Sequence, residues 1–247
     1  MAAPADLAAA FRESVDHRLD LPIDDVTQYG EQALAALAKA GVTALREYVV
    51  VVDRSPNVQA IMVYWLDNDE PPFLVGAAAV STGRGGEFDH FETPLGVFEL
   101  TTANPDFRAE GTRNKFGIRG YGAKGRRVFD LGWQPARRLW GKGGESAIRL
   151  QMHATDPDVL EPRLGSAQSK GCIRIPGSLN WLLDHFGVLD ANYLAAAARG
   201  APMWVLPRDQ TPVEGAGRYV IVIDSRRGER PAWAPAPRAA APRAVAH

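Results

Sequence analysis

Cys172 is the only cysteine in the 247 residues. One thiol cannot close a disulfide within the chain, and it cannot furnish a cysteine-rich zinc site. The fold must therefore rest on packing. No run of 18 or more apolar residues occurs, so no transmembrane helix is encoded. Charge of one sign is also lacking: 28 Lys and Arg stand against 29 Asp and Glu, a net charge of −1. That balance does not fit a chain that binds nucleic acid through an overall basic surface. Met1 leads into Ala-Ala-Pro-Ala-Asp without the basic and apolar regions of a secretory leader. A cytosolic chain and a mature exported chain both fit that start. What remains is globular: 46 % hydrophobic and 23 % charged residues, enough for one sizeable core with a small accessory piece.

Hydrophobic periodicity divides the chain. The first 40 residues read as helical, with Asp24-Asp25 as a cap, Ala33, Leu34, Leu37 and Ala40 on one stripe, and Gly41 as the stop. Glu47–Asp53 and Gln59–Leu66 are β-branched runs separated by the turn residues Asp53-Arg54-Ser55-Pro56-Asn57, which predicts a hairpin. Strands are also expected over Phe73–Val80, Leu95–Thr101, Ala147–Met152, Met203–Leu206 and Tyr219–Ile223. Helices are expected over Pro176–Phe186 and Asp190–Arg199. Many short strands with few helices predict a mostly β (α+β) fold with a sandwich or barrel-like core.

Two segments depart from this pattern. Residues 104–145 are Gly-rich, lack apolar periodicity and carry a net charge of +6. They read either as a long basic insertion covering a site for an acidic ligand, or as solvated loops balanced by nearby acids. In residues 231–247, Pro and Ala fill 12 of 17 positions, and the chain is expected to be a disordered tail from 227 onward. The expected division is a helical segment over 1–44, a catalytic domain over 45–226 with a lid insertion over 104–146, and that tail.

The densest chemical signal is Ser169-Lys170-Gly171-Cys172-Ile173-Arg174-Ile175-Pro176. Cations beside a thiol favour the nucleophilic thiolate. Backbone N–H groups around Gly171 can converge on an oxyanion. A lone Cys is otherwise a small core hydrophobe. A nucleophilic Cys needs a base. Among His17, His90, His153, His185 and His247, the residue closing an apolar strand is His153, and spacing alone does not select it.

His153, fifteen residues, and then Ser169-Lys170-Gly171-Cys172-Ile173-Arg174 resembles the signature of the YkuD-type L,D-transpeptidases. In that signature a His precedes Ser/Thr-His-Gly-Cys, an apolar residue, and Arg or Asn. Upstream, Val80-Ser81-Thr82-Gly83 and Thr93-Pro94-Leu95-Gly96-Val97-Phe98 resemble the family's other recurring stretch, and Leu164-Gly165 falls where the family often has Leu-Gly. The resemblance runs from about Tyr48 to Leu206. Lys170 departs from it, standing where the family usually has a second His.

The resemblance implies a YkuD-like core and a cysteine acyltransferase. Cys172 would be the nucleophile and His153 its base, the Ala154 carbonyl would hold the imidazole tautomer, and the amides of Lys170, Gly171 and Cys172 would form the oxyanion hole. Ser169, Lys170, Arg174, Arg119 and Arg126 are the expected substrate contacts. The implied partners are peptidoglycan stem peptides, as acyl donor and as acceptor, with no metal and no cofactor. A zinc site on His153 and Cys172 would lack further ligands. The Ser-Lys-Gly-Cys variant resembles a branch that links L-Ala to diaminopimelate (1→3) rather than two diaminopimelates (3→3). A murein peptidase and a non-catalytic murein-binding protein are the other readings. With that substrate the protein is expected in the periplasm.

Overall fold

The computed structural model of the chain describes residues 3–235. Two sheets face each other. The first holds β1 (Arg46–Asp53), β2 (Ala60–Asp67), β3 (Glu70–Ala79), β4 (Gly96–Glu99) and β9 (Tyr219–Ile223), in the order β3-β2-β1-β9-β4. The second holds β5 (Phe107–Arg108), β6 (Arg127–Arg137), β7 (Glu145–Ala154) and β8 (Ile173–Ile175), in the order β5-β6-β7-β8. This is the expected mixed fold with a β-rich core.

β1 shows why its sequence reads as an unbroken apolar run. Tyr48, Val50 and Val52 point into the core between the sheets. Val49 and Val51 point the other way, into a second cluster. A strand covered on both faces does not alternate. The inner core joins these residues to Phe129, Leu131, Leu150, Met152, Ile173 and Ile175 of the second sheet. Each such side chain contributes about 1.5–3 kcal/mol on burial.

Four helices close the core. α1 (Pro4–Ser14) inserts Leu7 and Phe11 into the inner cluster. α2 (Ile23–Lys39) lays Tyr29, Ala33 and Leu37 on the outer face of the first sheet. α3 (Gly177–His185) and α4 (Ala191–Ala198) supply Leu179, Leu182, Leu183 and Tyr193 to the inner cluster. α1 and α2 thus share the cores of the sheets. The predicted cap of α2 is displaced. Pro22 occupies the N-cap, and Asp24 and Asp25 lie in the first turn, where a carboxylate favours the helix through its dipole.

Three expectations are corrected. Met203–Leu206 forms turns, not a strand, although Val205 is buried. The insertion expected over 104–146 contains β6, an eleven-residue core strand. Its periodicity was hidden by Arg127, Asp130, Gly132 and Pro135. Arg127 is fully buried: Nε lies 2.8 Å from Asp106, Nη2 2.6 Å from Asp190 and Nη1 3.4 Å from Asp184. Arg108 pairs with Asp184 at 2.7 Å, and Arg119 with Asp158 at 3.4 Å. Part of the segment's positive charge is therefore met by the protein's own carboxylates. Lastly, residues 227–235, expected to be disordered, pack on the body. Trp233 Nε1 donates to Asp25 at 2.6 Å and its ring meets Tyr29 edge-on. A composition of Pro and Ala hid that anchor. The rest of the expected tail lies outside the described residues.

Arg127 joins β6, α3 and α4 through its carboxylates, so its removal leaves buried charge uncompensated. Arg127→Met should cost about 3–5 kcal/mol, measured as a loss in urea-unfolding free energy.

Candidate active site

The site lies where β8 joins the edge of the second sheet. β7 and β8 run parallel, with Met152 opposite Ile173 and His153 opposite Arg174. This short ladder brings His153 and the segment before β8 together across the eighteen residues that separate His153 from Cys172.

The loop Ser169–Cys172 is shaped by backbone on every side. The Ser169 N–H donates to Thr82 O and the Arg84 N–H to Ser169 O. The Phe91 N–H donates to Lys170 O, and Thr93 Oγ1 donates to Gly171 O at 2.8 Å while accepting from the Gly83 N–H. Within the loop, Ser169 Oγ donates to Cys172 O and accepts from the Gly171 N–H at 3.0 Å. Gly171 has φ +134°, and a Cβ there would come 2.8 Å from Ile148 Cδ1; only glycine fits. Cys172 is left partly exposed.

His153 is buried, and its Nδ1 lies 2.6 Å from the carbonyl oxygen of Ala154. A carbonyl only accepts, so Nδ1 carries the proton and Nε2 keeps its lone pair. The thiol of Cys172 makes its hydrogen bond to Arg149 O at 3.7 Å, within β7.

A family model described as the L,D-transpeptidase catalytic domain, YkuD, matches residues 47–213, about two thirds of the chain. The chain belongs to the YkuD family. No curated protein matches it. The matched span includes both sheets' central strands and the whole loop that carries Cys172.

Within this YkuD domain the predicted residues separate. The ladder sets Arg174 beside His153, His153 Nδ1 meets Ala154 O, and Gly171 and Cys172 lead directly into β8. Arg174 is half-buried, its guanidinium 3.5 Å from Gln168 O, and it makes no ion pair among the described residues. Lys170 is exposed and paired with Asp89. Ser169, expected to touch substrate, is buried with its hydroxyl spent inside the loop. Arg119 is held by Asp158, and its backbone N–H donates to Asp156. Arg126 lies in a separate hollow of about 270 Å³ with Trp181 and His185, on the α3 side. The Gly171 amide is occupied by Ser169, which leaves those of Lys170 and Cys172 as candidate oxyanion donors.

Sequence reasoning missed a polar cluster beside the pair. Tyr121 meets His153 edge-on at 4.8 Å and donates its hydroxyl proton to Gln151 Oε1 at 2.9 Å. Gln151 Nε2 donates to Asp130, which Arg149 also holds through Nε. Alternation along β7 was the available signal: Gln151 lies two residues before His153, on the same side of the strand. Among the described residues no group of three His, Cys, Asp or Glu side chains could hold a metal ion, and no helix is long and apolar enough to cross a membrane.

Both partners are uncharged at neutral pH. Burial pushes the Cys172 thiol above its ordinary value, with the Gln151 amide and Arg174 drawing it partly back. Burial lowers His153 to about 4, against the pull of the Ala154 carbonyl. The expectation of a resting thiolate is corrected: the cations beside Cys172 do not outweigh burial. Thiol alkylation by iodoacetamide should then rise about tenfold per pH unit up to the thiol's raised pKa, following the thiolate fraction. A plateau from acid pH upward would indicate a preformed ion pair.

Proposed function

We propose that this YkuD domain is a peptidoglycan L,D-transpeptidase working through a Cys172 thioester. The observation that carries this reading is the Nδ1 contact with Ala154 O, which leaves an unprotonated Nε2 on the strand next to a partly exposed thiol. As the sulfur attacks an L-centre carbonyl of a stem peptide, Nε2 takes the thiol proton. The amides of Lys170 and Cys172 receive the oxyanion, each worth about 3–4 kcal/mol of barrier. The imidazolium then gives its proton to the leaving amine. A second amine attacks the thioester, its proton passes through Nε2 to the sulfur, and the free thiol returns. Arg174 offers a guanidinium to a stem carboxylate. The Ser-Lys-Gly-Cys variant supports a 1→3 link over 3→3, and murein as substrate supports a periplasmic protein. Hydrolysis by the same thioester is the second reading, favoured by the thiol's partial exposure to water.

Intact-mass measurement after incubation with muropeptides should reveal a thioester on Cys172, absent in Cys172→Ser. Reversible binding without an adduct would identify a murein-binding protein instead. Digestion of treated sacculi separates 1→3 links, 3→3 links and hydrolysis by fragment mass. The rate of thioester formation should be flat through neutral pH. It should fall on the acid side as His153 takes up a proton at about 4, because the protonated ring can no longer accept from the thiol.

A further inference from the structure

Tyr121 is the one aromatic side chain in edge contact with the catalytic imidazole, among the described residues. It comes from the Gly-rich segment between β5 and β6. It is 41 % exposed, so one side faces His153 and the other remains open. It also lines a cavity of about 420 Å³ with Phe107, Arg113 and Ile118.

The direction of the Tyr121 hydroxyl is fixed by a chain of obligatory donors and acceptors. Asp130 is 3 % exposed; it accepts from Arg149 Nε at 2.9 Å, from the Gly132 N–H at 2.9 Å and from Gln151 Nε2 at 3.1 Å. A carboxylate only accepts, so the amide of Gln151 must present its nitrogen to Asp130 and its oxygen to Tyr121. The Gln151 oxygen only accepts, so Tyr121 must donate to it. The hydroxyl's single proton is then spent, and its free lone pair is an acceptor. Burial, with Cys172 and Asp130 nearby, raises Tyr121 above its ordinary value, so the proton stays on.

An acceptor on a ring in edge contact with an imidazole whose Nε2 bears a lone pair suits an N–H donor. The acyl-transfer reaction supplies one, a primary amine, which can keep one N–H on Tyr121 while giving another to His153. We propose that Tyr121 is the acceptor-amine site, its hydroxyl turned by Gln151 and Asp130 to accept from the amine that attacks the thioester. In that step the amine nitrogen forms the C–N bond, the C–S bond breaks, and the amine proton passes through Nε2 to Sγ. Tyr121 holds the nucleophile; Gln151 and Asp130 are positioning residues. This assignment rests on the thioester reading above.

The test separates acylation from partition. Wild type, Tyr121→Phe and Gln151→Leu are incubated with muropeptides released from sacculi, with and without free diaminopimelate as acceptor. Intact mass follows thioester formation, and chromatography with mass detection gives the ratio of aminolysis to hydrolysis. Tyr121→Phe keeps the ring against His153, so thioester formation should stay within about twofold while the ratio falls about tenfold. Gln151→Leu should shift the ratio in the same direction by a smaller factor. An unchanged ratio in Tyr121→Phe overturns the assignment. So does an equal loss of thioester formation and ratio, which would mean that Tyr121 acts on His153 alone. If Tyr121→Phe does not fold, the Gln151→Leu ratio decides, and no shift there overturns it. Absence of a thioester on the wild type removes the thioester reading and this assignment together.

Discussion

The carbonyl oxygen of Ala154 can only accept a hydrogen bond, and it lies 2.6 Å from Nδ1 of His153. That asymmetry decides which ring nitrogen is available for chemistry. The group that holds the imidazole is the backbone of the next residue at the end of β7, so no second side chain is needed. It follows that the strand end, rather than any substitutable group, sets the tautomer. β8 is only three residues long, yet it suffices as an anchor because Thr82, Arg84, Phe91 and Thr93 also hold the loop that precedes it. The motif around Val80-Ser81-Thr82-Gly83 thus cradles the loop that carries Cys172.

Burial acts on the pair in one direction. It opposes the thiolate and the imidazolium alike, so the resting site carries neither charge. Arg174 acts on the two in opposite senses, favouring the thiolate and opposing the imidazolium. A guanidinium without a carboxylate keeps its field for whatever negative charge arrives or develops. An internal partner such as those of Arg127 would cancel that field, and the contrast between the two arginines is one of partners rather than of depth alone. Arg127 has three carboxylates and holds elements together; Arg174 has a carbonyl contact and faces the thiol.

What the sequence disclosed follows from local physics. The hairpin of β1 and β2 was legible because both strands are continuous apolar runs around turn residues. His153 and Cys172 were legible through their resemblance to a signature, whereas the residues alone left several His open. β6 was illegible because its polar residues are satisfied by partners far away in sequence: Arg127 by Asp106, Asp184 and Asp190, and Asp130 by Arg149 and Gln151. A period count sees only their polarity. Ser169 and Arg119 read as substrate contacts because nothing local reveals that Gly171, Cys172 and Asp158 already occupy them. Trp233 failed to register for the opposite reason, since one aromatic anchor cannot outweigh a stretch of Pro and Ala in any composition count.

The Gly-rich segment between β5 and β6 is coupled to the end of β7 that carries His153 at consecutive points. The Arg119 N–H donates to Asp156 at 2.8 Å, Tyr121 binds Gln151, and Gly122 passes so close to Ala154 that a Cβ there would come 2.9 Å from that of Ala154. These contacts bracket His153 on both sides in sequence. A side chain at position 122 would push on the residue whose carbonyl holds Nδ1, and a displaced Tyr121 would release the ring from its edge contact. The loop therefore does more than cover a groove. Its backbone and one aromatic residue bear on the strand end that fixes the tautomer, so occupancy of the neighbouring cavity and the state of the imidazole share the same few contacts.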